Sequence, residues 1–354
     1  WSETVTGKAL KRHPREKFFI ATKMSGASDL SRKNMTAMYH RSFQNLQVDY
    51  IDYYLLHGIG GGGMDLFNRR FIQNGMLDFL LEERERGKIR HLGWSFHGDI
   101  DVFNRVLEMH GQVHWDFVQI QLNYVDWRHA SAYNADWQKA MGDDTNAEYL
   151  HEELAKRDIP VVVMEPLLGG RLANVTQDVL AQMKQKRQDD SAAAWAFRFA
   201  GSFPKVLTVL SGMTYKEHLQ DNLRTFSPLV PLSYEESRFL EDVAERMKDS
   251  QNIPCTDCKY CMPCPYGIDI PGIFTHYNKC VNHGNVPKNS LDSNYEKARR
   301  AFLIGYDRNV PKLRQASHCI GCGQCNSRCP QRIAIPSQMR LIDEYVEKLK
   351  QGKL

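Results

Sequence analysis

All nine cysteines of this chain lie between positions 255 and 329, and eight of them fall into two ordered sets. The first reads Cys255-Thr-Asp-Cys258-Lys-Tyr-Cys261-Met-Pro-Cys264-Pro265, and the second Cys319-Ile-Gly-Cys322-Gly-Gln-Cys325-Asn-Ser-Arg-Cys329-Pro330. Three cysteines at i, i+3 and i+6 can wrap one face of an iron–sulfur cube, and a fourth followed by proline points toward a companion cluster. The second set keeps the spacing C-x2-C-x2-C-x3-C-P in full, while the first is one residue shorter before its last cysteine. Read crosswise, one 4Fe-4S cluster takes Cys255, Cys258, Cys261 and Cys329, and the other takes Cys319, Cys322, Cys325 and Cys264.

Repeated C-x2-C pairs also suit tetrahedral zinc. Zinc needs two such pairs per ion and no proline-marked fourth ligand, so two 4Fe-4S clusters are the expectation. Disulfides fit less well, because this spacing in a chain with no visible signal peptide points to a reducing, cytoplasmic setting. Cys280 is left over in a helix-like stretch and reads as a small buried apolar residue.

The two sets belong to an internal repeat. Cys264-Pro-Tyr-Gly-Ile-Asp-Ile-Pro271 aligns with Cys329-Pro-Gln-Arg-Ile-Ala-Ile-Pro336, and each precedes a helical pattern with proline at its head, where no amide bond is lost. This part resembles the helical dicluster ferredoxin modules appended to many redox enzymes. From position 251 onward, fifteen Lys and Arg stand against eight Asp and Glu, so this part carries +7 and residues 1–250 carry −3 of the net +4. The excess either compensates anionic thiolate-ligated clusters or forms a docking face for an acidic ferredoxin- or flavodoxin-like electron carrier. No nucleic-acid recognition motif accompanies it, and no apolar run reaches the length of a membrane span.

Upstream, short apolar strands alternate with amphipathic helices. The expected strands are Phe18–Thr22, Tyr50–Leu56, Ile89–Ser95, Phe117–Gln121, Pro160–Met164 and Val206–Leu210, with helices over Ser31–Leu46, Asp101–Met109, Asn146–Arg157 and Ser191–Ala200. Such alternation implies a parallel sheet, either closed as a (β/α)8 barrel or open and doubly wound. Gly58-Ile-Gly60-Gly-Gly-Gly63 satisfies G-x-G-x-x-G after a strand, with Asp78 following, which favours the open sheet on paper. A run of four glycines meets that pattern almost automatically, and the next segment lacks small apolar residues for tight helix packing. The expectation is a mobile loop at the C-terminal end of a barrel strand.

Six segments in order then resemble the aldo/keto reductase family. They are Phe18-Phe-Ile-Ala-Thr-Lys23, Val48-Asp-Tyr-Ile-Asp-Tyr-Tyr-Leu-Leu-His57, Ile89-Arg-His-Leu-Gly-Trp-Ser95, Phe117-Val-Gln119-Ile-Gln-Leu-Asn123, Met164-Glu-Pro-Leu-Leu-Gly-Gly170 and Leu210-Ser-Gly-Met213 with Asp221-Asn222. The resemblance implies an α/β (β/α)8 TIM-type barrel over residues 1–232 and a helical linker with the dicluster module over 233–354. It also implies NAD(P)-dependent reduction of a small carbonyl compound, or oxidation of an alcohol, at the C-terminal strand ends. Lys23 takes the role of the lysine that lowers the pKa of a proton-donating tyrosine, and His57 that of the histidine orienting the carbonyl oxygen. Ser95 and Gln119 match positions that hold the nicotinamide amide, with His97 near the place of a usual asparagine. Met164 stands where an aromatic ring stacks on nicotinamide. Pro166, Leu167, Gly169 and Arg171 match the pyrophosphate loop, and Ser211, Gly212, Met213 and Asn222 the adenosine end. Gly212 and His218 stand where NADP-specific members carry a lysine and an arginine, so NADP and NAD both stay open, with Arg171 or Lys216 as substitute cations.

The family's tyrosine and its aspartate precede the stretch that looks like Trp1–Leu10. Six strands are visible of eight, so two βα units and the proton donor are expected upstream. Hydride carries two electrons and a cube cluster exchanges one, so the clusters are expected to serve a partner or the module's structure. The alternative is an electron-transfer or assembly subunit with a catalytically degenerate barrel.

Overall fold

The computed structural model describes residues 1–26, 29–130, 146–248, 252–329, 331 and 333–354. Pro330, the proline that marks the last cysteine, lies outside them. Six strands form one parallel sheet in simple sequence order: β1 (Ala21–Met24), β2 (Ile51–Ile59), β3 (Ile89–Phe96), β4 (Phe117–Gln121), β5 (Val161–Met164) and β6 (Val206–Val209). Each is joined to the next by helical crossovers, the connection that parallel pairing demands. This is the α/β architecture of a TIM-type barrel.

β1 begins three residues later than expected. The Phe18 carbonyl accepts from Arg15 Nη1 (2.9 Å) and the Ile20 amide donates to Asp52 Oδ2 (2.8 Å), so side chains take backbone groups that a ladder would otherwise use. Asp52 is almost fully buried and is held by Arg15 at 2.5 Å and Arg90 at 3.4 Å. The two guanidinium groups also pack on the Tyr50 ring, each 3.9 Å from its centroid. That ion pair is set near the start of β2, away from the strand ends where the chemistry would sit.

Helix starts follow capping chemistry. Ser31 Oγ accepts from the Asn34 amide at the head of Arg32–Leu46, and Ser191 Oγ from the Ala194 amide at the head of Ala192–Gly201. Both serines therefore stand just outside the helices in which the sequence pattern includes them. The glycine run after β2 forms a turn that leads into the short helix Gly63–Phe67, and Asp78 sits in the helix Met76–Glu85. No doubly wound sheet results from it.

The register sets which side chains face inward. Lys23 pairs with Leu55, Leu55 with Gly93 and Gly93 with Phe117, which makes one row across four strands. Leu55, Phe117 and Val162 form a small buried cluster of their own, with Tyr53 beside it. A Cβ on Gly93 would lie 2.2 Å from the Phe117 carbonyl oxygen and 2.8 Å from its ring, so a glycine is needed for this row to close. Two residues further along the strands, Ser95 pairs with Gln119 and Gln119 with Val162. The opposite face carries the main core, where Tyr54, Trp94, Phe103 and Trp195 pack against the surrounding helices. Leu240, Val243 and Ala244 of the helix Tyr234–Lys248 are buried in that same core.

The two end strands are less covered. Phe19 before β1 is 76 % exposed, and Leu207 in β6 is 48 % exposed, whereas every residue of β5 is buried. Beyond residue 252, the helices Ile270–Asn282, Tyr295–Asn309 and Ile335–Gln351 enclose a second core of Phe274, Phe302, Tyr306, Met339 and Val346. Pro271 and Pro336 stand in the first turn of the first and last of these helices. Among the described residues, no helix is long and apolar enough to cross a membrane.

Candidate functional site

The C-terminal ends of β1, β2 and β3 bring Lys23, His57 and His97 into mutual electrostatic range. Lys23 follows from its register beside Leu55, and His57 from an irregularity in β2 between Leu56 and Ile59 that shifts its pairing with β3. Bulges of this kind re-aim side chains at the rims of barrels. His57 Nδ1 lies 3.1 Å from Ser25 Oγ.

Burial lowers the Lys23 ammonium to about 8. Burial, then the Lys23 charge and then Arg70 lower His57 to about 4. His97 falls to about 4 through burial, Lys23 and His57. At neutral pH the trio is therefore one ammonium flanked by two neutral imidazoles, with Lys23 able to lose its proton within the physiological range. Among the described residues, no carboxylate pairs with Lys23. Arg70 was not apparent from the sequence. It is buried in the turn Asn68–Ile72 and donates to the Met24 carbonyl at 3.2 Å. Nothing in the sequence distinguishes it from the adjoining Arg69.

Ser95 and Gln119 are buried side by side on β3 and β4. Ser95 Oγ accepts from the Gly58 amide at 3.0 Å, and Gln119 Nε2 lies 2.9 Å from Met164 Sδ. Ser95, Gln119 and Met164 thus gather near the rim, while the remaining predicted cofactor residues lie further out. Pro166, Leu167, Gly169, Ser211, Gly212, Met213 and Asn222 line a single groove of about 1090 Å³. Asn222 Nδ2 donates to Ser211 Oγ at 2.9 Å, which ties the loop after β6 to the helix Lys216–Phe226. Arg171 does not line the groove. It is buried within range of Asp126 and lines a neighbouring cavity that also contains Cys255.

Glu165, quoted in the sequence motif but given no role there, lines the groove with a left-handed backbone (φ 53°). Its carboxyl is pushed up to about 7 by burial and by the nearby Asp126, against a hydrogen bond accepted from the Gly169 amide. Asp126 is buried and accepts from Gln121 Nε2 (2.5 Å) and Asn123 Nδ2 (2.6 Å).

The cysteines converge as two groups. Burial pushes the Cys255 thiol up to about 12, and Cys258, Cys261 and Cys329 add to the shift. Burial raises Cys325 as well, with Cys319, Cys322 and Cys264 contributing. The surroundings of Cys255 and Cys325 follow the crosswise sets, while Cys261 feels Cys325 of the other group as well as Cys258 and Cys329. A separate pocket is lined by Cys264, Cys319, Cys322 and Cys325 together with Ile268, Ile270, Ile335 and Met339. Four thiolates gathered beside these apolar side chains, three half-buried and Cys322 exposed, repel one another unless a cationic core holds them, so the donor set fits an iron–sulfur cube. Among the described residues, no three metal-binding side chains converge closely enough to hold a single ion. Cys280 is buried beside His276, at 3.5 Å from its Nε2, and lies outside both groups.

The family model described as the aldo/keto reductase family matches residues 1–245, and a 4Fe-4S dicluster domain matches residues 254–334. The protein tas of Escherichia coli strain K12 is 34 % identical over 116 residues, covering 27 % of this chain and 33 % of that protein. The chain therefore spans about a third of the length of the curated relative it matches. Among solved structures, the holo form of aldo-keto reductase AKR11C1 from Bacillus halodurans superposes with a TM-score of 0.50 at 22 % identity, covering 68 % of this chain and 76 % of that one. An aldo/keto reductase from Klebsiella pneumoniae in complex with NADP and acetate gives a TM-score of 0.50 at 19 % identity, covering 68 % and 75 %. These two likenesses establish the fold. Over the barrel that carries Lys23 and His57, the chain belongs to the aldo/keto reductase family, and a 4Fe-4S dicluster domain follows it.

Proposed function

We propose that this protein is an oxidoreductase that reduces small carbonyl compounds, or oxidises the corresponding alcohols, with a nicotinamide dinucleotide. The observation that carries the reading is the meeting of Lys23 and His57 at one rim, each with its pKa depressed by burial. Ser95 and Gln119 would hold the nicotinamide amide, Met164 would contact its ring, and the groove from Pro166 to Asn222 would hold the rest of the dinucleotide. When bound, the nicotinamide supplies or accepts the hydride. The chain's own part is to orient and to stabilise charge. Neutral His57 donates a ring N–H toward the carbonyl oxygen, and the Lys23 ammonium opposes the negative charge that develops there. Lys23 is also placed to lower the pKa of a tyrosine proton donor of the kind that the family resemblance implies.

We assign one cluster to Cys255, Cys258, Cys261 and Cys329 and the other to Cys319, Cys322, Cys325 and Cys264. They would exchange single electrons with an acidic ferredoxin- or flavodoxin-like carrier, or brace the C-terminal module. The test is nucleotide oxidation by the anaerobically purified protein over a panel of aldehydes and ketones. Turnover that survives cluster removal supports the reductase. Cluster reduction by a ferredoxin, with no binding of either nicotinamide nucleotide, would instead mark a subunit whose barrel has lost its chemistry.

Glu165 makes the cofactor step pH-dependent. Above about 7 its carboxylate is charged and competes with a pyrophosphate for the Gly169 amide; below that value the charge is gone. Nucleotide affinity is therefore expected to rise several-fold, by about three- to tenfold, between pH 8 and pH 6. Glu165→Gln should flatten the profile at the higher affinity. Fluorescence titration of the reduced nucleotide reads both. An equally steep profile in the variant would place the titrating group elsewhere.

A further inference from the structure

The first cysteine set is packed directly on the barrel. A Cβ built on Gly169 would lie 2.1 Å from both the Thr256 Cα and its carbonyl oxygen, so the backbone at Thr256 is seated against that loop at its closest approach. Gly169 has a φ of 65°, so the loop needs glycine there twice over, for its backbone and for this contact. Thr256 is 5 % exposed. A second tie lies nearby, where Asn282 Nδ2 donates to the Asn174 carbonyl. Thr256 and Asp257 consequently line the same groove as Leu167, Ser211, Gly212 and Asn222.

We infer that the Cys255–Cys258 loop forms the outer wall of the dinucleotide groove, and that its Asp257, together with Glu217, sets this groove to take NAD(H) in preference to NADP(H). The inference rests on the dinucleotide reading above and goes further, to the choice of nucleotide and to a wall contributed by the cluster-bearing module.

The charge around the groove decides the matter. Its lining includes Glu165, Glu217, Asp221 and Asp257, against one formal cation, Arg224. Arg224 is already bonded to Asp221, and Asp221 also accepts from Ser191 Oγ at 2.5 Å. His218 accepts the Thr214 amide at its Nδ1 (3.3 Å). The helix Lys216–Phe226 begins at the groove, and Glu217 stands in its first turn. An acid there meets the positive end of the helix dipole that would otherwise favour a phosphate. Among the described residues, the ion pair of Asp257 is a loose one, with Lys259 at 3.8 Å and both side chains well exposed, which compensates its charge little.

A 2′-phosphate would enter this groove as a dianion, and among the described lining residues the one formal cation, Arg224, is already paired with Asp221. A ribose 2′-hydroxyl, in contrast, can donate to a carboxylate, which is the general division between acid-bearing NAD sites and arginine-bearing NADP sites. Lys216 and Arg171, the substitutes available in the sequence, do not line the groove.

The experiment is a pair of fluorescence titrations, NADH and NADPH, on the anaerobically purified protein with its clusters intact. Tighter binding of NADH by about tenfold or more is expected. Glu217→Gln should narrow the ratio several-fold, and Asp257→Asn should narrow it as well. Iron content and cluster absorbance show whether the Asp257 variant keeps its clusters. Glu217→Gln lies outside the cysteine loop and keeps the test decisive if that variant loses iron. Equal or tighter binding of NADPH overturns the inference while leaving the dinucleotide site standing, as does a ratio that neither variant changes. Binding of neither nucleotide overturns the inference and the dinucleotide reading together.

Discussion

Replacing Lys23 by methionine is expected to lower carbonyl reduction about 10²- to 10³-fold, ~3–4 kcal/mol in the barrier, while the melting temperature stays level or rises. The two halves of this expectation have one cause. Lys23 is half-buried on the inner row of the barrel, where desolvation alone lowers it to about 8. A folded pKa below the unfolded value of 10.5 means that the folded state sheds its proton first. Stability contributed by this group is therefore lowest below about pH 8 and grows as the pH rises from there toward 10.5. Methionine keeps the length and apolar body of the side chain and removes a charge that the fold accommodates at a cost. Single-turnover reduction and thermal melts on the same preparations separate the outcomes. A fall in activity matched by a fall in melting temperature would make Lys23 a structural residue, and unchanged turnover would remove it from the chemistry.

The second large effect concerns the sulfurs. Cys325→Ser is expected to lower iron from about eight to about four atoms per chain, because one cube should be lost and the other retained. The reason is the crosswise arrangement. Cys325 shares its surroundings with Cys319, Cys322 and Cys264, whereas Cys255 shares its own with Cys258, Cys261 and Cys329. Cys264→Ser should then behave like Cys325→Ser although it lies in the other sequence set, and Cys329→Ser should remove the first cube. Iron and sulfide analysis with electron paramagnetic resonance of the reduced protein reads this directly. Paired losses that track the sequence sets, Cys264 with Cys255 and Cys329 with Cys319, would refute the exchange of fourth ligands.

Much of the barrel was legible because its signals are local. β3 to β6 begin and end within a residue of the alternation seen in the sequence, and β5, buried on both faces, reads as an unbroken apolar run. The start of β1 was not legible, since the groups that compete for its backbone, Arg15 and Asp52, are brought together only by folding. The glycine run failed as a nucleotide fingerprint for a related reason. Its pattern is a statement about spacing, whereas in the fold β2 runs into a turn and a short helix.

The spacing of thiols and the order of strand segments were written in the chain itself, because cube ligation and strand alternation both depend on separations of two or three residues. Tertiary packing alone decided that His97 joins Lys23 and His57, that Arg171 turns away from the groove toward Asp126, and that Thr256 rests on Gly169. Those contacts join segments far apart in sequence, and their energies come from burial and from charge held at low dielectric, neither of which exists until the chain has folded.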